Sequence, residues 1–213
     1  MLFLLMFLMA YSKTGRTVHE VLGIIMFVCF IFHHIFNLQW YKTVFKGKYM
    51  SNKMMIYIII NILLLFDVLF LIMSGLSMSK IIPFISIIPI SLARRIHMVL
   101  SYWGFILIAV HLALHIKSFI LPIKNKLSEC TWLNKKIIQN FIFYSLVFIG
   151  VIMFIKSHFI SYLFMTTEFV FFDDMSLIQF ILEYFTIFIL FVYLSYMILK
   201  WIINKKRSKK FIN

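Results

Sequence analysis

The chain has 213 residues, 63% of them hydrophobic and only 13% charged, a balance that suits a membrane protein and excludes both an ordinary soluble domain and a disordered chain. The net charge of +14 would suit nucleic acid, but the basic residues gather in short segments between apolar runs, where the charge rule for membrane loops accounts for them, so nucleic acid is set aside as a partner. Cys29 in an apolar run and Cys130 in a polar connector are poorly placed for a bridge, and the lack of a Cys-x-x-Cys-His string excludes covalently attached c-type haem.

Residues 1–11 are apolar but too short to cross about 30 Å of hydrocarbon. They read as a partial helix, a span clipped by an alternative start, because no small-residue cleavage site precedes Ser12-Lys13-Thr14-Gly15. An uncleaved signal-like stretch and an interfacial helix are the alternatives. Five spans are expected at 18–41, 54–77, 96–117, 137–156 and 178–201, each near the roughly 20 residues that a membrane helix needs. The expected fold is all-α, a polytopic transmembrane helix bundle of five full spans plus a short N-terminal apolar helix, in one domain over residues 1–213. Lys46-Gly47-Lys48, Pro83 and Pro89, and Pro122 punctuate the connectors. The stretch Lys80 to Leu92, apolar yet broken twice by proline, is expected at the interface or folded back over the helices like a lid.

The basic residues set an orientation. Lys42, Lys46, Lys48 and Lys53, then Lys117, Lys124, Lys126, Lys135 and Lys136, then Lys200, Lys205, Lys206, Arg207, Lys209 and Lys210 fall on one side. Only Lys13, Arg16, Lys80, Arg94, Arg95 and Lys156 fall on the other. The richer side is assigned to the cytoplasm of a prokaryotic cell, with the C-terminus inside and Glu168, Asp173 and Asp174 in an outer loop.

Two matched ladders stand out. Arg16 is followed at +3 by His19 and at +17 by His33, and Arg94 is followed at +3 by His97 and at +17 by His111. On a helix, 14 residues return to within about 40° of the same face after a rise of about 21 Å. Ionisable side chains in apolar spans are costly unless they face the interior, a cavity or a cofactor. Two helices with histidines at two matched depths supply the paired imidazoles of two non-covalent b-type haems, His19 with His97 and His33 with His111. Arg16 and Arg94 are then placed to pair with propionates, as Lys42 and Lys117 are on the inner side. Gly23 and Gly104 leave room for a flat macrocycle. His34 and His115 are read as orienting or packing residues, each an alternative ligand to its neighbour. His158 is read as structural. The competing account of the histidines is plain hydrogen bonding between helices.

Asp67, mid-way along the second span with Asn61 before it, is either an imidazole-orienting or proton-handling group, or a polar bond to a neighbouring helix. Glu20 and Glu183, near the outer interface, call for no special role.

Several strings, taken together, resemble the flavinylation-associated cytochrome family. They are His19-Glu20-Val21-Leu22-Gly23, His33 to Asn37 with Trp40-Tyr41-Lys42, Ser74-Gly75, Ser91-Leu92-Ala93-Arg94 through His97, Ser101-Tyr102-Trp103-Gly104-Phe105, His111 and His115. Tyr162-Leu163-Phe164 and Glu168 to Asp173 are similar to that family's outer loop. The resemblance runs from Thr14 to about Lys200 and departs at the N-terminus. It implies a membrane cytochrome that serves extracytoplasmic domains carrying covalently attached flavin.

The expected function is transmembrane electron transfer to an extracytoplasmic flavin-carrying protein, with quinone or a cytoplasmic-side reductase as donor. The chain reads as an electron-transfer subunit and not as a stand-alone enzyme, since no nucleophile stands beside a base. The rival is a cofactor-free membrane transporter in which the histidines, Asp67 and Asn61 line a polar path. A partner-anchoring structural subunit is a further rival.

Overall fold

The computed structural model describes residues 1–46, 52–116, 136–167 and 174–209. Expectations that fall on Gly47, Lys48, Lys117, Pro122, Lys124, Lys126, Cys130, Lys135, Glu168 to Asp173 and Lys210 lie outside the described residues. So do the side chains of Lys53, Lys136, Lys205, Lys206, Arg207 and Lys209.

Among the described residues the fold is all-α, with no strand. The helices are α1 (Leu2–Met9), α2 (Tyr11–Phe36), α3 (Leu38–Phe45), α4 (Asn52–Met78), α5 (Ile90–Leu114), α6 (Lys136–Lys156), α7 (Phe159–Leu163) and α8 (Leu177–Lys209). Helix is the form that satisfies every backbone N–H and C=O within one segment, which lipid demands. Five helices are long and apolar enough to cross a membrane, over Tyr11–Phe36, Met54–Met78, Ile90–Leu114, Ile138–Lys156 and Leu177–Ile202. By length and composition this is an integral membrane protein.

Several boundaries differ from those read off the apolar runs. The first span, expected at 18–41, stops at Phe36, where Asn37 leaves the helical region and α3 starts afresh. At its other end Gly15 has φ 76°, a left-handed conformation that glycine adopts without a Cβ penalty, and the turn reverses the chain between α1 and the body of α2. Thr14 braces this turn through its hydroxyl, which donates to the Ala10 carbonyl at 3.1 Å. The third span starts at Ile90, directly after Pro89, and not at 96. Arg94 and Arg95 interrupt the apolar run there without interrupting the helix, because arginine is a good helix former. For the same reason α8 continues through its basic end to Lys209.

The chain divides into two units. The first comprises Met1–Phe105 and His158–Leu182, and the second comprises Ile106–Ser157 and Glu183–Asn213. In the first, Phe105 and Phe159 are fully buried and lie 5.6 Å apart, and Tyr102 stacks on Tyr162 at 5.0 Å. Thus the short α7 is held against α5 by aromatic contact. The second unit buries Ile187, Phe188 and Leu190 of α8. A Cβ at Gly150 would collide with the Thr186 carbonyl, so this glycine is what lets α6 and α8 approach so closely. Phe154 against Phe191 and Phe143 against Tyr193, both at 5.5 Å, extend the same seam.

Candidate functional site

The first unit brings His19 of α2 and His97 of α5 together, with ring centroids 6.0 Å apart and planes at 73°. Two imidazoles bound at about 2 Å to one iron from opposite sides have ring centres about 6 Å apart. The pair therefore has the separation that a shared metal requires. The two rings come from helices some eighty residues apart in sequence.

His97 is oriented by α4. Its Nδ1 lies 3.2 Å from the Leu71 carbonyl and 3.0 Å from Ser74 Oγ, while that hydroxyl itself donates to Leu71 O at 3.0 Å. A carbonyl can only accept, so Nδ1 carries the hydrogen and Nε2 keeps its lone pair. This is the arrangement in which a metal-ligating histidine donates its other nitrogen to a backbone carbonyl. Asp67, for which orienting an imidazole was one of the expected roles, makes no hydrogen bond to the His97 ring. The residues missed by sequence reasoning are Leu71 and Ser74. The signal available for the second was the Ser74-Gly75 string, quoted for resemblance without a physical role.

His19 sits in a different setting. Tyr11 packs edge-on against its ring at 5.2 Å, and the Leu8 carbonyl adjoins it because the Gly15 turn lays α1 along α2. Its Nδ1 is nevertheless buried without a hydrogen-bond partner. Buried polar nitrogens are normally paired, so this one stands out among the described residues.

The glycines near the pair differ in their surroundings. A Cβ at Gly75 would already lie 3.4 Å from His97 Cε1, so a larger residue there would press on the ring. Gly23, one turn beyond His19, has nothing within 4 Å of where its Cβ would be. Beside Gly104 the space is taken by the carboxyl of Asp67. That carboxyl is 5% exposed, and its Oδ2 has no hydrogen-bond partner.

The two arginines differ. Arg16 is committed: its Nε donates to Glu20 Oε1 at 2.8 Å and its Nη2 to the Met78 carbonyl at the C-terminal end of α4. Glu20, expected to have no special role, is the centre of this corner, since its Oε2 accepts from Ser79 Oγ, Lys80 N and Ile81 N. Arg94 is exposed and makes no hydrogen bond or ion pair among the described residues, which leaves its guanidinium available to an anion. The end of α4 thus holds both histidines, His97 directly and His19 through its neighbours Arg16 and Glu20.

The inner histidines are divided between the units. His33 is exposed on α2, adjacent to His34 at 5.7 Å between ring centroids. His34 shares a hydrogen bond between its Nδ1 and the Tyr41 hydroxyl, and packs on Phe30 at 4.2 Å. Burial pushes the Tyr41 phenol up from its ordinary pKa, so the hydroxyl keeps its proton at neutral pH. In the second unit His111 and His115 lie 4.9 Å apart with planes at 47°. His158 sits in a left-handed turn, φ 51°, that starts α7, and Lys42 is exposed. Among the described residues no three His, Cys, Asp or Glu side chains converge on a bare metal ion.

No family model, no curated protein and no solved structure matches this chain. The fold and the site therefore rest on the residues themselves.

Proposed function

We propose that this protein is a membrane cytochrome b that carries electrons across the bilayer with bis-histidine haem, one haem being held by His19 and His97. The observation that supports it most is the His19–His97 pair at 6.0 Å, one ring fixed with its Nε2 lone pair available and the other with an unpaired buried nitrogen. When bound, haem supplies a reversible one-electron couple. The chain's own part is to hold the imidazoles at the right separation, to fix the His97 tautomer through Leu71 and Ser74, and to offer the Arg94 guanidinium to a propionate.

The C-terminus and the basic connectors belong on the cytoplasmic face of a prokaryotic membrane, so the His19–His97 level lies toward the outside. An electron moving outward from an inside-negative compartment moves downhill electrically, by up to about 2.3 kcal/mol per 100 mV. The resemblance to the flavinylation-associated cytochrome family suggests an extracytoplasmic flavin-carrying protein as acceptor, with quinone or a cytoplasmic-side reductase as donor. A second reading, a membrane transporter with a polar path, draws on the unpaired Asp67 carboxyl packed into α5 at Gly104.

The test is a reduced-minus-oxidised absorption spectrum of the purified protein from haem-replete cells, with haem counted per chain. Two b-type haems are expected. A colourless protein would refute the cytochrome reading and favour the transporter.

A further inference from the structure

Residues 79–89, between α4 and α5, include the most exposed large apolar side chain among the described residues, Phe84 at 94%, with Ile81, Ile85 and Ile87 exposed beside it and Ile90 just after. In water this is a costly composition for a connecting segment, and contiguous apolar exposure of this kind marks a contact surface. The backbone indicates which contact it is. Glu20 Oε2 accepts from Lys80 N at 3.0 Å and Ile81 N at 3.1 Å, and Ser79 Oγ accepts from Ile82 N at 3.0 Å. Ser77 Oγ, on a residue only 6% exposed, accepts from Ile87 N at 3.1 Å and Ile88 N at 3.2 Å.

Pro83 and Pro89 have no N–H to satisfy. Ser79 N donates to the Leu76 carbonyl at 3.2 Å, so only Phe84, Ile85 and Ser86 have no acceptor of these kinds. A water-exposed loop needs no such set of internal acceptors, because water provides them. A loop in contact with lipid does need them. The segment also joins the ends of two helices long and apolar enough to cross a membrane, the position at which a bilayer surface is expected. Lys80, Arg94 and Arg95 at its two ends are exposed, where their long side chains can reach lipid phosphates.

We propose that residues 81–89 form a lipid-seated loop, its Phe84 and isoleucine side chains inserted at the headgroup–acyl boundary of the leaflet in which α4 ends, and tethered from within by Glu20, Ser77 and Ser79. The occupant of the apolar surface is bilayer lipid; the internal hydrogen bonds satisfy the two flanks of the loop, and the three remaining N–H groups lie at the headgroup level, where water and phosphate can accept from them. This inference does not depend on haem, so it stands or falls separately from the cytochrome reading.

The full chain, with Cys29→Ser and Cys130→Ser, is labelled with an environment-sensitive fluorophore through Phe84→Cys, and in parallel through Ile87→Cys and through Thr166→Cys as the reference. Each variant is reconstituted in vesicles of phosphatidylcholine and phosphatidylglycerol. At Phe84 and Ile87, a quencher attached near the top of the lipid acyl chain should act about twofold or more strongly than aqueous iodide, with the order reversed at Thr166. Adding Glu20→Ala should shift the Phe84 label toward iodide. Iodide quenching at Phe84 equal to that at Thr166 would place the loop in water and overturn the proposal. Protection from both quenchers would show a protein-covered surface and overturn it equally. The Ile87 label keeps the test decisive where the Phe84 variant fails to fold.

Discussion

The carboxyl of Asp67 fills the space in which a side chain at residue 104 would lie, so the acid of α4 and the glycine of α5 are fitted to one another. Gly104→Ala forces either the carboxyl or the helices to move. Overpacking of this kind costs about 1–3 kcal/mol. Thermal unfolding in detergent should show the loss, and Asp67→Ala in the same chain should recover part of it, as a double-mutant cycle. An unchanged midpoint for Gly104→Ala would show that the two residues are not in contact.

His97→Ala should remove one of two haems per chain and leave most of the other, counted by the pyridine haemochrome. Ser74→Ala is milder, because the Leu71 carbonyl remains to hold Nδ1. Loss of one orienting partner should weaken haem retention by about tenfold, the lower end of what such partners contribute. Equal haem loss from both variants would mean that Ser74 holds the helix and not the ring.

On the proposed reading His19→Ala should match His97→Ala in haem content, the two rings lying 6.0 Å apart, whereas His158→Ala should leave the haem content unchanged. Membranes carrying His19→Ala should fail to reduce an extracytoplasmic flavin acceptor while a cytoplasmic-side donor still reduces the remaining haem. Acceptor reduction at the unchanged rate would take His19 off the path.

Gly75→Val should disturb the same ring from the other side, because even the first carbon of the new side chain comes within 3.4 Å of His97 Cε1. The expected sign is a shifted haem spectrum or a substoichiometric haem count in a protein of normal helicity. A spectrum identical to that of the unaltered chain would show that the ring has room to move.

A reporter fused after Asn213 should be cytoplasmic, and one inserted next to Asp174 should be outside, from the distribution of lysine and arginine between the connectors. The reverse arrangement would turn the inferred direction of electron flow around.

The sequence by itself determined the membrane class, the all-α fold and the number of long apolar helices, because hydropathy over about twenty residues reports directly on what lipid tolerates. It also held the matched ladders, since positions on one helix face follow from spacing alone. It blurred the helix ends. Apolar runs do not register the left-handed Gly15 or the break at Asn37, and charged residues such as Arg94 hide a helix that their propensity supports.

What only the tertiary structure decided was which element stands opposite which. That α4 orients His97 through Leu71 and Ser74, that Glu20 ties α2 to the loop after α4, and that Gly104 makes room for Asp67 are all relations between segments far apart in the chain. Periodicity assigns a residue to a face but not to a neighbour, and a backbone carbonyl such as that of Leu71 has no signature in the identity of its side chain. Hydrogen bonds and close contacts of this kind are fixed only when helices pack, because their range is a few ångströms and their partners are chosen by the fold.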